Sequence, residues 1–369
     1  MLFPLKRRLA KSAEQLSRAA GRRVSYEAVE AIVDKHRRPG QFARLLSRVL
    51  AFEANPRGYG NAHPLREQQK YSHNCDFDGS LLISEILSLY FDSYDLTKHS
   101  GYDGAFVART SRELGDQGYS SVADFVPPAD CDAIVEFLGR DGLHFREDIS
   151  GTVHNGYVQA NVSRAGSNVT RIVDQSALLA CPQIAGLAFD PSLVAVAQNF
   201  LGAPPVHTQT NCWWSKHYSD DPEHIKAAAQ RFHQDRDYIK FLKVFIYLTD
   251  VDESGGPHEF IAGSNADYAL VSKNKRRSSK RVSDAYLERI YPAERFRKFT
   301  ATRGSIILED TSGFHKGNPV VTGHRLMLQL EYVSSLYGAP AYYLRAGALE
   351  HVPPEFRSLE RFVSAYRAD

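Results

Sequence analysis

Phe232-His233-Gln234-Asp235, followed by the apolar run Phe241-Leu242-Lys243-Val244-Phe245-Ile246-Tyr247-Leu248, opens the stretch that decides the fold. The stretch closes on Asp310-Thr311-Ser312-Gly313-Phe314-His315 and then on Arg325-Leu326-Met327-Leu328-Gln329-Leu330. Side chains on a strand repeat with a period of two, so His233 and Asp235 project from one face. By the same rule Arg325, Met327 and Gln329 share an inward face, while Leu326, Leu328 and Leu330 face the other way.

With a third ligand from a distant strand, two imidazoles and one carboxylate would form a facial ligand set with open coordination positions, the pattern of a mononuclear non-haem iron centre. The metal ligands expected are therefore His233, Asp235 and His315. No thiolate accompanies them, which argues against a closed structural zinc site. Arg325 offers a planar fork that grips a carboxylate through two parallel hydrogen bonds. A metal with open positions beside such a clamp suggests a keto-acid co-substrate.

These residues, with Val244–Pro257 and Ile261-Ala262-Gly263-Ser264-Asn265, resemble the phytanoyl-CoA dioxygenase family over roughly residues 120–340. The resemblance implies an iron(II)- and 2-oxoglutarate-dependent dioxygenase that uses O2 on a double-stranded β-helix, a jelly-roll or cupin-like core. It also implies that His233, Asp235 and His315 bind iron and that Arg325 binds the distal carboxylate of 2-oxoglutarate. Family members often end the glycine-serine turn with histidine, where this chain has Asn265. Some place a serine two residues after the last iron histidine, where this chain has Gly317. In related halogenases a small residue replaces the carboxylate; the presence of Asp235 favours hydroxylation, with release of succinate and CO2.

Around this stretch the composition is that of a globular protein, 43% hydrophobic over 369 residues. The expected fold is mainly β with flanking helices (α+β). A basic, mostly helical extension is expected over 1–115, the oxygenase domain over 116–345 with a lid-like insertion at 264–300, and a tail over 346–369. Residues 1–50 carry twelve Lys or Arg against four acidic residues, +8, leaving −6 elsewhere for the net +2. Ser25 suits an N-cap for a helix over 26–37, and Pro39-Gly40 a break before the next helix. Cys75, Cys131, Cys181 and Cys212 form no Cys-x-x-Cys pair and suggest reduced thiols. No apolar stretch approaches a membrane span of about 20 residues, and no signal-peptide core is evident, so a cytoplasmic location is expected.

Further strands are expected at 153–162, 169–174 and 206–217, and helices at 81–94, 130–139 and 191–201. Period two would place His207, Gln209, Asn211 and Trp213 on one face, making Gln209 and Asn211 candidate contacts to 2-oxoglutarate or substrate. Phe245, with Tyr247, is a candidate lining residue. His258, at the Gly255-Gly256-Pro257 turn, is the remaining histidine best placed for a role, whereas His63, His73, Asp76 and Asp78 lack metal-site spacing. The insertion carries Lys273, Lys275, Arg276, Arg277, Lys280 and Arg281, which would suit a small anionic substrate. Two other readings stand beside the enzyme: a non-catalytic metal- or ligand-binding barrel, and a protein whose basic arm binds an anionic polymer or membrane surface. Specific nucleic-acid binding is not expected.

Overall fold

The computed structural model describes residues 3–34, 39–55, 77–156, 164–235, 237–267, 281–337 and 344–367. Among the described residues, eleven strands build the core. They are β1 (Tyr119–Val122), β2 (His144–Glu147), β3 (Val153–Asn155), β4 (Val169–Ile172), β5 (Val206–Lys216) and β6 (Phe241–Tyr247). After these come β7 (His258–Ile261), β8 (Phe296–Phe299), β9 (Ile306–Glu309), β10 (His315–Gly317) and β11 (His324–Val333). An antiparallel eight-stranded sheet runs β1-β9-β6-β11-β5-β4-β2-β3, and a three-stranded sheet runs β10-β7-β8. This is the two-sheet, antiparallel core of the double-stranded β-helix that the sequence leads one to expect, with helices flanking the large sheet.

Alternation sorts the large sheet into two faces. Leu326, Leu328 and Leu330 join Val244, Ile246, Cys212 and Trp214 in the core under the outer helices. Met327, Phe245, Tyr247, Trp213 and Ile307 point the other way, into the barrel with Phe260 and Phe299 of the small sheet. Register carries the inward rows across strands: Trp213 faces Met327, which faces Tyr247, and Asn211 faces Gln329, which faces Phe245.

His207 departs from the expected face. The register shifts between Glu331 and Tyr332, where Gln209 and His207 oppose successive residues of β11. One extra residue in β5 inverts the alternation there. His207 consequently leaves the barrel and is buried against Phe189, Tyr332, Phe362 and Tyr366, with Nδ1 bonded to the Tyr366 hydroxyl at 2.8 Å.

The flanking helices are shorter or shifted relative to expectation. Tyr26–Val33 is capped by Ser25, whose hydroxyl accepts from the Ala28 amide, and the helix Pro39–Ala54 starts on the proline where a break was expected. The helices Phe77–Tyr90, Pro128–Leu138 and Pro191–Leu201 fall near their expected places. Pro182–Leu201 is apolar and long enough to cross a membrane, contrary to the sequence expectation. Pro191 divides it into two helices, however, and its side chains pack into the core. Cys131, Cys181 and Cys212 are buried free thiols. Cys75, His63, His73 and Asp76 lie outside the described residues, as do 157–162 of the strand expected at 153–162 and 268–280 of the insertion, with Lys273, Lys275, Arg276, Arg277 and Lys280.

Candidate metal centre

His233 lies on no strand of its own. Its segment adds to the small sheet through single bridges, Phe232 to Val282 on one side and His233 to His315 on the other. The His233 amide donates to the His315 carbonyl at 2.9 Å and the His315 amide to the His233 carbonyl at 3.0 Å. Such a pair places two side chains directly opposite each other on one face, and the imidazole centroids stand 4.2 Å apart. Asp235, two residues on, is held by its amide to the Thr311 carbonyl at 2.8 Å. Its carboxylate reaches 3.6 Å from His233 Nε2 and 3.4 Å from His315 Nε2.

The three donor atoms lie within 4.8 Å of one another. Adjacent octahedral positions with bonds of about 2.1 Å are about 3 Å apart, so small side-chain rotations would place all three on one ion. The tautomers suit that use. His233 Nδ1 donates to the Arg231 carbonyl at 3.0 Å and His315 Nδ1 to the Gly313 carbonyl at 3.1 Å. Both Nε2 atoms therefore face Asp235, as metal-binding histidines with carbonyl-anchored rings require; in the metal-free chain Asp235 and Glu309 raise the pKa of His315 despite its burial. Burial and the neighbouring His315 hold His233 well below its ordinary pKa, keeping it neutral. Asp235 stays ionised despite burial because Lys243 and His315 lower its pKa.

The loop carrying His315 is held by the turn that departs from the family pattern. Asn265 Nδ2 donates to Asp310 Oδ2 at 2.9 Å, and the Ser264 hydroxyl accepts from the Phe314 amide at 2.8 Å. Close approach dictates Gly313, where a Cβ would meet the Phe260 ring at 2.6 Å.

Arg325 is buried at the inward edge of β11. One Nη donates to the Gly256 carbonyl and the other to Ser215 Oγ at 3.2 Å, while Nε is buried without a partner among the described residues. An orphaned guanidinium N–H suits a carboxylate that comes with the co-substrate. Gln209 and Asn211 face the same interior. Gln209 Oε1 accepts from Gln329 at 2.6 Å, whereas Asn211 Oδ1 is buried with no partner among the described residues. Phe245 lines the barrel between Trp213, at a centroid distance of 6.4 Å, and His258, at 4.7 Å.

Four buried polar side chains near the centre were not foreseen as one site. Lys243 Nζ bonds Asp235 Oδ2 at 2.7 Å and Asp237 Oδ2 at 2.8 Å, with Glu331 Oε1 at 4.0 Å. Glu309 Oε2 pairs with His258 Nε2 at 2.9 Å, and Glu309 Oε1 stands 3.9 Å from His315 Nδ1. Burial pushes both Glu309 and Glu331 up to about 8, and burial with the charge on His315 keeps His258 neutral. The signal for Lys243, Glu309 and Glu331 was their inward parity with Phe245, Ile307 and Gln329, charged residues in otherwise apolar rows.

The family model described as phytanoyl-CoA dioxygenase matches residues 114–327. No curated protein matches the sequence. Among solved structures, the non-heme alpha ketoglutarate dependent epimerase SnoN from nogalamycin biosynthesis is 14% identical, with TM-score 0.42 over 63% of this chain and 84% of that one. HygX from Streptomyces hygroscopicus with nickel and 2-oxoglutarate bound is 15% identical, with TM-score 0.43 over 64% and 87%. AviO1 from Streptomyces viridochromogenes Tue57 is 17% identical, with TM-score 0.40 over 61% and 94%. The family uses iron(II), 2-oxoglutarate and O2, and the two-histidine, one-carboxylate centre fits that cofactor set. More than half of the sequence matching one model, this chain belongs to the phytanoyl-CoA dioxygenase family.

Proposed function

We propose that this protein is an iron(II)- and 2-oxoglutarate-dependent dioxygenase that hydroxylates a small organic molecule. The observation that carries the reading is the convergence of His233 Nε2, Asp235 and His315 Nε2 within 4.8 Å, together with a buried arginine whose Nε has no partner among the described residues. When bound, iron with 2-oxoglutarate supplies oxidation of a C–H bond by O2, with succinate and CO2 released. His233 and His315 hold the metal through Nε2, each ring locked by the carbonyl at its Nδ1. Asp235 fills the position a halide would need, which favours hydroxylation. Arg325 orients the co-substrate through its distal carboxylate, and Phe245, Trp213 and Met327 wall the barrel against water.

The test is anaerobic addition of ferrous iron and 2-oxoglutarate, read by the visible charge-transfer band of the chelate. The wild type should show the band, whereas His233→Ala and Arg325→Ala should lose it at sub-millimolar 2-oxoglutarate. A folded, iron-loaded wild type with no band would leave a non-catalytic binding barrel as the better account.

A further inference from the structure

The barrel presents two guanidinium groups near the metal centre in addition to Arg325. Arg281 is placed by register. Val282 bridges Phe232, its amide donating to the Phe232 carbonyl at 2.8 Å. Both residues pack outward with Ile261, Leu287 and Phe314. Alternation on the two paired segments turns their neighbours, His233 and Arg281, to the opposite side, where Asp235 stands. Arg281 is only partly exposed, and no ion-pair partner for it exists among the described residues. Burial lowers its pKa; the nearby Asp235 charge opposes this and the Arg171 charge adds to it.

Arg171 comes from the other sheet. It faces Trp213, which faces Met327 and then Tyr247, so it belongs to an inward row. Its guanidinium lies 5.1 Å from the Trp213 ring centroid, and Nε donates to Asp148 Oδ2 at 3.1 Å. Arg171 thus stands within electrostatic reach of both Arg281 and Arg325.

The charges leave one group uncompensated. A divalent ion on two neutral imidazoles and one carboxylate retains a single positive charge. Together with Arg325 it is matched by the dianion 2-oxoglutarate; Asp148 offsets Arg171, and Asp237 stays with Lys243. Once the metal has taken Asp235, Arg281 has no counter-charge, and a partly desolvated guanidinium without one is unfavourable. We propose that Arg281, supported by Arg171, receives an oxyanion of the substrate. The substrate is then a small acid, a carboxylate or a phosphate or sulfate ester, anchored by its anion with the C–H bond over the metal. This rests on the iron and 2-oxoglutarate site proposed above.

The experiment uses the anaerobic iron(II)–2-oxoglutarate complex of the full chain, in which Arg325 is already occupied. Propionate, inorganic phosphate and sulfate are titrated separately at constant ionic strength, following the charge-transfer band and the heat of binding. At least one anion should perturb the band at millimolar concentration, and the one that binds tightest distinguishes a carboxylate from a phosphate or sulfate. Arg281→Gln, while still forming the band, should weaken that anion about 10-fold, the effect of losing a charge-assisted pair. Arg281→Lys, which keeps the charge but not the fork, should lose only part of that. Equal affinity in Arg281→Gln and wild type, or no anion binding where the band forms, would overturn the proposal. Absence of the band itself would instead overturn the metal-site reading and this inference with it.

Discussion

Lys243 shows how much a single residue in a barrel interior can carry. It is buried among Asp235, Asp237 and Glu331, and its charge is held far above the ordinary lysine range by those carboxylates despite burial. Removing one partner from a buried ion network strands the others. Lys243→Met should therefore lower the unfolding free energy of the metal-free protein by about 3 kcal/mol in urea titrations, and an unchanged midpoint would refute a charged network. His207 gives a second, pH-linked test. Burial holds its pKa at about 3 against an ordinary 6.5, so between those values the unfolded chain binds a proton that the folded chain does not. Stability is full above pH 6.5 and falls as pH drops, by about 1.4 kcal/mol per unit from this group. His207→Gln should flatten that slope between pH 6.5 and 5; matching slopes would count against the assignment.

Among the elements, β11 sets the site. One of its faces seals the core through Leu326, Leu328 and Leu330, while the other presents Arg325, Met327, Gln329 and Glu331 to the barrel. The preceding strand, β10 of the small sheet, runs past the guanidinium so closely that a Cβ on Gly317 would stand 2.9 Å from Arg325 Nη2. Glycine at the position where some relatives carry serine thus accompanies the seat that Arg325 takes here. Gly317→Ser should push the guanidinium aside and raise the KM for 2-oxoglutarate about 10-fold, as small misplacements of a clamp do. A steady-state titration at saturating substrate checks this, and an unchanged KM would mean that the seat tolerates the hydroxyl.

Across the whole molecule, the helical extension shares a core with the barrel. Leu16, Val29, Leu46 and Leu87 pack with Val206, Phe241, Val333 and Leu336. Glu53 ties three segments together, accepting from Arg361 Nη1 and from Ser335 Oγ, each at 2.6 Å, while Arg361 lies 4.0 Å from the Phe91 ring centroid. Glu53→Ala should cost about 3 kcal/mol, the toll of a largely buried guanidinium losing its counter-charge. Urea unfolding followed by tryptophan fluorescence and by circular dichroism should show one shared, shifted transition. Separate transitions for helix and barrel signals would mean that the two fold independently.

By itself the sequence determined which side chains alternate on which strands and which residue types bind a metal. That is why the order His233, Asp235, His315, Arg325 and the inward parity of Arg325, Met327 and Gln329 were legible: period two and ligand chemistry are local properties. Only the tertiary structure decided what lies across a strand or a turn. A one-residue bulge opposite Glu331 moved His207 to the outer face, which no pattern within residues 207–213 encodes. Lys243, Glu309, Glu331 and His258 are scattered over four strands and become one buried network only when sheet register stacks them. Arg281 was legible as one charge in a basic run, but its place opposite His233 comes from a single bridge between segments about fifty residues apart. Register is set by the sum of long-range packing, so a local pattern can name the groups and not their neighbours.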